Sequence, residues 1–352
     1  MSTENNILFE NLRLTGLISN YSDCRIPENE SYKSSKMVTE RYLSPKKFAA
    51  ALGVSESSVK RWADEGKIES SRTEGGHRRI SRAAAYRYIR ANRLPLADPA
   101  AIGIEPEDGD EPGKHADALI DAVKKGDERR FISVLTARYL AGENVATLFD
   151  GPVADGLHQI GDLWRHGPEG IHIEHRSTEV CIQGLSVLRS FLSEPAADAP
   201  LAIGCSPSGD PYRVASLMAS IIVAEAGWRD RNLGADLPIE SLVSVMETER
   251  PRLLWLSFTS DAASEAFLRK RSPFEEKARE LQTVVVAGGR AFPRKLLKGE
   301  GCGYHFLSSM EALDAFARAL RVGTPSIGTA ARVESEKSIE LGPVFRGTGN
   351  NA

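Results

Sequence analysis

The stretch richest in groups that could do chemistry runs from Ser44 to Ile89. Between Glu40 and Arg93 there are thirteen Lys or Arg against six acids, a balance of +7, which leaves −10 on the rest of a chain whose net charge is −3. A compact basic segment on an acidic body is the electrostatic footprint of a module that binds a polyanion. LSPKKFAAALGV places Phe48, Ala49 and Leu52 on one helical face, Gly53 makes a turn, and Ser55 can cap a second helix, SESSVKRWADEG, with Val59 and Trp62 facing inward. Glu56, Ser57, Ser58, Lys60 and Arg61 are left outward, short polar groups followed by cations, as a helix entering the major groove of DNA requires. Ile68 then begins a strand, Thr73-Glu74-Gly75-Gly76 turns it, and His77-Arg78-Arg79-Ile80 returns as a hairpin wing with cations at its tip. A wing of that kind reaches phosphates beside a recognition helix.

A second constellation is Trp164, then RHGPEGIHI, then Glu174-His175. Taken alone the spacing is weak, because Trp is a common core residue and an isolated His is usually a satisfied surface or core group. Its setting strengthens it: an indole beside a carboxylate and an imidazole, directly before a sheet domain, could form a lid over a bulky ligand. Imidazole also binds metals, which makes His175 the metal-ligand candidate.

These residues need elements to hold them. Residues 1–38 are rich in Ser, Asn, Glu and Lys and are expected to be a disordered tail. Residues 39–94 carry the DNA-reading head. Residues 95–113, with four prolines and six acids, are expected to be an acidic linker without a packed element. Residues 114–195 show helical periodicity through Leu119, Val123, Phe131, Val134, Leu135, Ile173, Val180, Leu185, Leu188 and Leu192, broken at Gly126-Asp127, Gly142-Glu143 and Gly167-Pro168, which predicts a bundle of four helices. From 199 to 322, apolar runs at Leu201–Cys205, Trp228–Leu233, Leu253–Phe258, Thr283–Ala287 and Tyr304–Leu307 alternate with amphipathic segments. Val214, Leu217, Met218, Ile221 and Ile222 give a helical stripe, and Ser308-x-x-Glu311 reads as a capping box. That alternation predicts an α/β domain with a parallel sheet, helices on both faces and ligands at the carboxyl ends of the strands. Residues 323–352 are expected to be a second disordered tail.

Ser44 to Arg90, and GGHRRIS in particular, resembles the winged-helix DNA-binding domain of the MerR family. The likeness implies that Lys60 and Arg61 of the helix and Arg78 and Arg79 of the wing contact DNA, with Ser57, Ser58 and His77 beside them. Over about residues 41–322 the chain resembles the cobalamin-binding regulators, including the light-responsive carotenogenesis repressors. In these a MerR-type head precedes a helical bundle and a Rossmann-like cobalamin domain. The resemblance implies that Trp164, Glu174 and His175 cap the upper axial face of the cofactor. It also implies that Ser257 and Thr259 after the third strand, with Gly288 and Gly289 after the fourth, make room for its nucleotide tail.

One loop departs from that family. Its usual pattern is an acid, a His two positions on and a Gly three after that, whereas this chain reads Asp210-Pro211-Tyr212-Arg213-Val214-Ala215. The acid survives, but Tyr212 replaces the imidazole that would bind cobalt from below, and a phenol with a pKa near 10 is a poor cobalt ligand at neutral pH. Ala215 adds a methyl where backbone must approach the ligand. Cobalamin with its own base attached, another tetrapyrrole, and a ligand-free interaction platform all stay open.

Apolar residues make up 41% and charged residues 26% of 352, with no run near the ~20 apolar residues of a membrane span. The N-terminus lacks a basic start and an apolar stretch, so a cytoplasmic location without membrane attachment is expected. Cys24, Cys181, Cys205 and Cys302 are too scattered for a zinc site or a disulfide framework. No Ser/His/Asp, Cys/His or paired-carboxylate arrangement is legible, so no catalytic residue and no enzyme is expected. The reading is a DNA-binding transcriptional regulator on a double-stranded operator. Its C-terminal module would sense cobalamin, light through it, or a related ligand, and control homo-oligomerisation. A corrinoid-dependent methyl-transfer or carrier protein is the alternative, with a cofactor-free regulator as the third.

Overall fold

The computed structural model describes residues 42–105, 114–163, 168–298 and 303–323. Both expected tails, the acidic run 106–113, Trp164, Cys24 and Cys302 lie outside the described residues.

The head begins with β1 (Tyr42–Leu43), α1 (Pro45–Leu52) and α2 (Glu56–Asp64), and continues with β2 (Ser70–Arg72), β3 (Arg78–Ser81) and α3 (Arg82–Asn92). Each helix starts where a serine side chain accepts a backbone N–H: Ser44 from Lys47, Ser55 from Ser58 and Ser81 from Ala84. Gly53 ends α1 in the left-handed conformation, which lets the chain reverse into α2. The three strands form an antiparallel sheet in the order β1-β3-β2. Phe48, Val59, Ile80, Ala85 and Ile89 are buried together, and Trp62 packs on Tyr88 with ring centroids 5.4 Å apart. The hairpin is two residues shorter at its start than the sequence suggests, opening at Ser70 where Ile68 was expected.

The start of the acidic linker differs from expectation. Pro99–Ile102 form a single 3-10 turn, Ile102 and Ile104 are buried, and Ala97 and Asp98 donate their N–H groups to the Ala51 carbonyl. Two isoleucines among the acids carry enough apolar surface to hold the segment down, a signal that composition averaging hides.

The middle segment comprises α4 (Lys114–Lys125), α5 (Glu128–Leu140), the short α6 (Val145–Leu148), a π-turn over Phe149–Val153, α7 (Ala154–Leu163) and α8 (Pro168–Arg189). Asp127 and Asn144 cap α5 and α6 where the glycine breaks were read. The π-turn was not expected. Pro152 cannot donate to the helical ladder, and the chain bends there at Gly151.

All five expected strands form a parallel sheet in the order β5-β4-β6-β7-β8, with β4 (Leu201–Cys205), β5 (Arg229–Asn232), β6 (Leu253–Ser257), β7 (Val284–Gly288) and β8 (Tyr304–Phe306). The connections carry α9 (Val214–Glu225), α10 (Ile239–Glu249), α11 (Asp261–Lys270), α12 (Ser272–Glu280) and a 3-10 turn at Arg294–Lys298, and α13 (Met310–Val322) closes the domain. One apolar cluster, around Leu254, Leu256, Phe258, Phe267 and Phe274, covers one face of this sheet, and a second is continuous with the middle segment and the head. α13 opens one residue later than the expected capping box, because Ser309 rather than Ser308 accepts from the N–H three residues on. Cys181 and Cys205 are buried, and burial pushes both thiols up to about 12, so they stay protonated and inert. Among the described residues no helix is long and apolar enough to cross a membrane.

Candidate functional site

The outward face of α2 is built from its cap. The Ser55 hydroxyl lies 2.8 Å from that of Ser57 and 2.9 Å from that of Ser58, a hydroxyl cluster at the start of the helix. Lys60 and Arg61 are exposed one turn further on, each with an acid four residues away, Glu56 at 2.7 Å and Glu65 at 3.9 Å. Such exposed pairs contribute little to stability and yield readily to a phosphate.

The wing divides its cations. His77 is exposed, and its backbone N–H donates to Thr73 Oγ1. Arg79 points outward over the ring of Tyr42, 5.9 Å from its centroid. Arg78 turns the other way, with a side chain only 10% exposed; it donates to the Lys60 carbonyl at 2.7 Å and pairs with Asp64, both on α2. That hydrogen bond holds the Asp64 carboxyl below the usual carboxylate range. Alternation along β3 explains the split, since neighbouring residues on a strand face opposite sides. Arg78 thus ties the wing to α2, and Arg79 is the wing arginine that faces solvent.

In the sheet domain, a pocket of about 200 Å³ opens at the carboxyl ends of β6 and β7. Ser257, Gly288 and Gly289 line it, as do Ala215, Met218 and Ala219 from α9. The middle segment contributes Phe149, Asp150 and Ala154, which sequence reasoning did not pick out because the bend that presents them lies in the π-turn. The Asp150 carboxylate accepts the N–H groups of Met310 and Glu311 at 2.8 and 2.9 Å, placing an acid on the positive end of α13 at the pocket mouth. Gly289 has φ +99, and a Cβ there would run into the Phe258 carbonyl. The loop's own closure therefore requires this glycine, independently of any ligand.

The remaining candidates are placed elsewhere. Asp210 is fully buried and accepts from the Thr259 hydroxyl and N–H, both at 2.5 Å, and from the N–H groups of Ser260 and Tyr212 at 3.2 Å. It fastens the loop after β4 to the loop after β6. Tyr212 is 43% exposed and, like Asp210 and Thr259, does not line the pocket. On α8, Glu174 and His175 lie 3.6 Å apart, and Glu174 also accepts from Thr178 at 3.1 Å; His175 is 73% exposed and is not part of the pocket wall. No group of three or more metal-binding side chains gathers among the described residues.

Below the pocket the space is filled. The Trp255 indole packs against Gly204 of β4, where a Cβ would collide with the ring, and donates to Ser216 at 3.0 Å; Ser216 bonds Asn232 in turn. The carboxyl end of the sheet therefore offers a shallow, mainly apolar seat with serine hydroxyls at its rim. A nucleotide tail extended below this seat would have to displace the Trp255 indole, whereas the small residues Ala215, Gly288 and Gly289 leave the rim open to the edge of a flat ring.

Residues 42–93 match the helix-turn-helix domain family and residues 115–189 the B12 binding domain family. The HTH-type transcriptional repressor CarA of Myxococcus xanthus is 32% identical over 149 residues, which are 42% of this chain and 50% of that protein, so the chain spans about half the length of the relative it matches. Among solved structures, the monomethylamine corrinoid protein of Methanosarcina barkeri superposes with a TM-score of 0.48 at 16% identity, covering 59% of this chain and 98% of that one. The methanol:cobalamin methyltransferase complex MtaBC of the same organism gives 0.33 at 16% identity, over 77% and 93%. The chain thus joins a helix-turn-helix domain to a B12 binding domain.

Proposed function

We propose that the chain is a transcriptional regulator that binds double-stranded DNA through α2 and the wing, and whose remaining modules sense cobalamin. The observation that carries the reading is the outward face of α2. Ser57, Ser58, Lys60 and Arg61 stand on one free surface beside Arg79, in the same unit as a B12 binding domain. The repressor function of the Myxococcus relative supports it. Residues 39–94 act as the MerR-type head, 114–195 as a four-helix bundle that caps the ligand, and 199–322 as the Rossmann-like seat. His77 lies at the wing with Arg79, and Arg78 serves DNA binding by holding the wing.

Bound cobalamin would supply a large flat surface and a cobalt–carbon bond that light can break. Ser257, Gly288 and Gly289, with Ala215 and Met218, would hold it from the sheet side. Glu174 and His175 of α8, with Trp164, would contribute the cap on the bundle side, where His175 would offer an imidazole to the metal. Asp210, Tyr212 and Thr259 shape the seat through the loop bonds that Asp210 makes. The bundle excludes water, and Asp150 joins it to α13 at the pocket rim. A single winged head reads only a short half-site, so operator binding calls for paired copies of the chain. The reading is that of a regulator in the cytoplasm and not of an enzyme.

The test combines two measurements on the full chain. Titration with adenosylcobalamin is expected to give a protein-bound cofactor with the spectrum of the free base-on form. Fluorescence anisotropy on duplex DNA is expected to give steep salt dependence, losing about 0.9 of log–log slope for each phosphate contact removed. No retained corrinoid after dialysis would remove the sensor, and salt-independent DNA binding would remove the head from the interface.

A further inference from the structure

Among the contacts between the head and the other modules, one side chain touches both of them. Arg90, in the last turn of α3, is 20% exposed, and its guanidinium lies over the Tyr139 ring, 3.9 Å from the centroid. It donates to the Tyr139 carbonyl at 2.5 Å and the Glu143 carbonyl at 3.1 Å at the end of α5. Its other terminal nitrogen donates to Glu225 at 2.8 Å, on the last turn of α9 and itself 21% exposed. One planar fork therefore binds three modules at once, a geometry that lysine cannot reproduce. Around it, Tyr86 packs edge-on against Phe191 at 4.6 Å and donates to the Ile102 carbonyl, and the Glu105 N–H donates to the Ser133 hydroxyl at 2.7 Å.

The other end of α9 lies at the ligand pocket. Ala215, Met218 and Ala219 line that pocket, and Glu225 is ten residues beyond Ala215, about 15 Å along the same helix at 1.5 Å per residue. α9 is one unbroken helix, buried over most of its length, and so forms a rigid rod between its two ends. Beside the Arg90 fork there is a cavity of about 370 Å³, lined by Arg87, Tyr139, Leu192, Glu225 and Arg321 among others, which leaves room for the end of the rod to shift.

We infer that Arg90 is the positioning residue that holds the DNA-binding head on the body, and that α9 links occupancy of the pocket to that hold through Glu225. The inference rests on the regulator reading for its purpose and on the contacts above for its mechanism. A rigid element with a pocket at one end and a charged fork at the other is a physical means of coupling two sites. Anything that displaces the pocket end of α9 changes the strength of the Arg90 fork and so the freedom of the head.

Hydrogen–deuterium exchange on the full chain tests this without a ligand. In Arg90→Met, which keeps the apolar stem, the amides of residues 89–105 are expected to exchange about tenfold faster, and those of α1 and α2 at the parental rate. Arg90→Lys, which keeps the charge and loses the fork, is expected to fall between, a ranking that lost packing alone does not produce. Ala215→Leu crowds the pocket end of α9 and is expected to accelerate the same 89–105 amides about threefold, with no further increase when combined with Arg90→Met. Unchanged exchange of 89–105 in Arg90→Met overturns the latch. A parental head in Ala215→Leu, or full additivity in the double variant, overturns the link through α9. Global acceleration including α1 and α2 marks unfolding, and the milder Glu225→Gln then decides, with faster exchange confined to 89–105 supporting the latch and parental exchange overturning it. Anisotropy on duplex DNA is read in parallel: absence of DNA binding by the parent refutes the regulator reading and leaves the exchange result standing.

Discussion

The wing and the sheet-domain loops treat their polar residues in opposite ways. On α2 and the wing, Lys60, Arg61 and Arg79 stand outward with only exposed local partners, while one residue, Arg78, turns inward as a brace. In the loops after β4 and β6, Asp210 and Thr259 are spent on each other, and the pocket wall is left to small and apolar residues. The contrast teaches that a polyanion surface can be read from charge alone. A ligand pocket cannot, because acids and hydroxyls in tight loops are needed by the backbone first.

The comparison breaks most readily at its glycines. Gly289→Ala is expected to destabilise the chain by about 3 kcal/mol, since it combines positive φ with a collision against the Phe258 carbonyl, whereas Gly75→Ala at the wing tip, where a Cβ meets only ordinary contacts, is expected to stay within about 0.5 kcal/mol. Urea midpoints of the two variants check this, and equal shifts would erase the distinction. Next in size is Asp210→Ala, expected to cost about 2–3 kcal/mol because it leaves several N–H donors without an acceptor. Lys60→Ala is expected to leave the urea midpoint unchanged while lowering the salt slope of DNA binding by about 0.9.

A smaller effect separates the two wing arginines. Arg79→Ala is expected to take about 0.9 from the salt slope at constant stability, and Arg78→Ala to cost about 1 kcal/mol of stability and weaken DNA binding through a displaced wing. Identical slopes and midpoints for the two would show that the strand alternation has no consequence. The smallest effect lies in β8, where burial lowers the pKa of His305, whose ring lies tilted against Phe316 with centroids 4.9 Å apart. Its neutral form is favoured in the folded state, so its contribution is complete above the ordinary histidine pKa and is lost as pH falls from there through the lowered value. Parent and His305→Phe are expected to diverge in urea midpoint as pH is lowered from 7.5 towards 5, the parent losing more.

Much of this was legible in the chain. The five strands, the helix cap at Ser55 and the glycine breaks near Asp127 and Asn144 follow from local chemistry, which acts within a few residues. The pocket residues Phe149 and Asp150 were not legible, because a π-turn at Gly151-Pro152 rather than any hydrophobic period presents them. Nor was the packing of Ile102 and Ile104, which a count of prolines and acids obscures.

The sequence by itself determined most of the helices and strands and where positive charge accumulates, because periodicity, capping and net charge are local sums. Only the tertiary structure decided what each polar group was for. Arg78 braces, Asp210 fastens two loops and Arg90 grips Tyr139, Glu143 and Glu225, partners 18, 49 and up to 135 residues away. A long polar side chain satisfies its hydrogen bonds with whatever the fold brings within about 3 Å, and that neighbour is chosen by the packing of distant apolar surfaces.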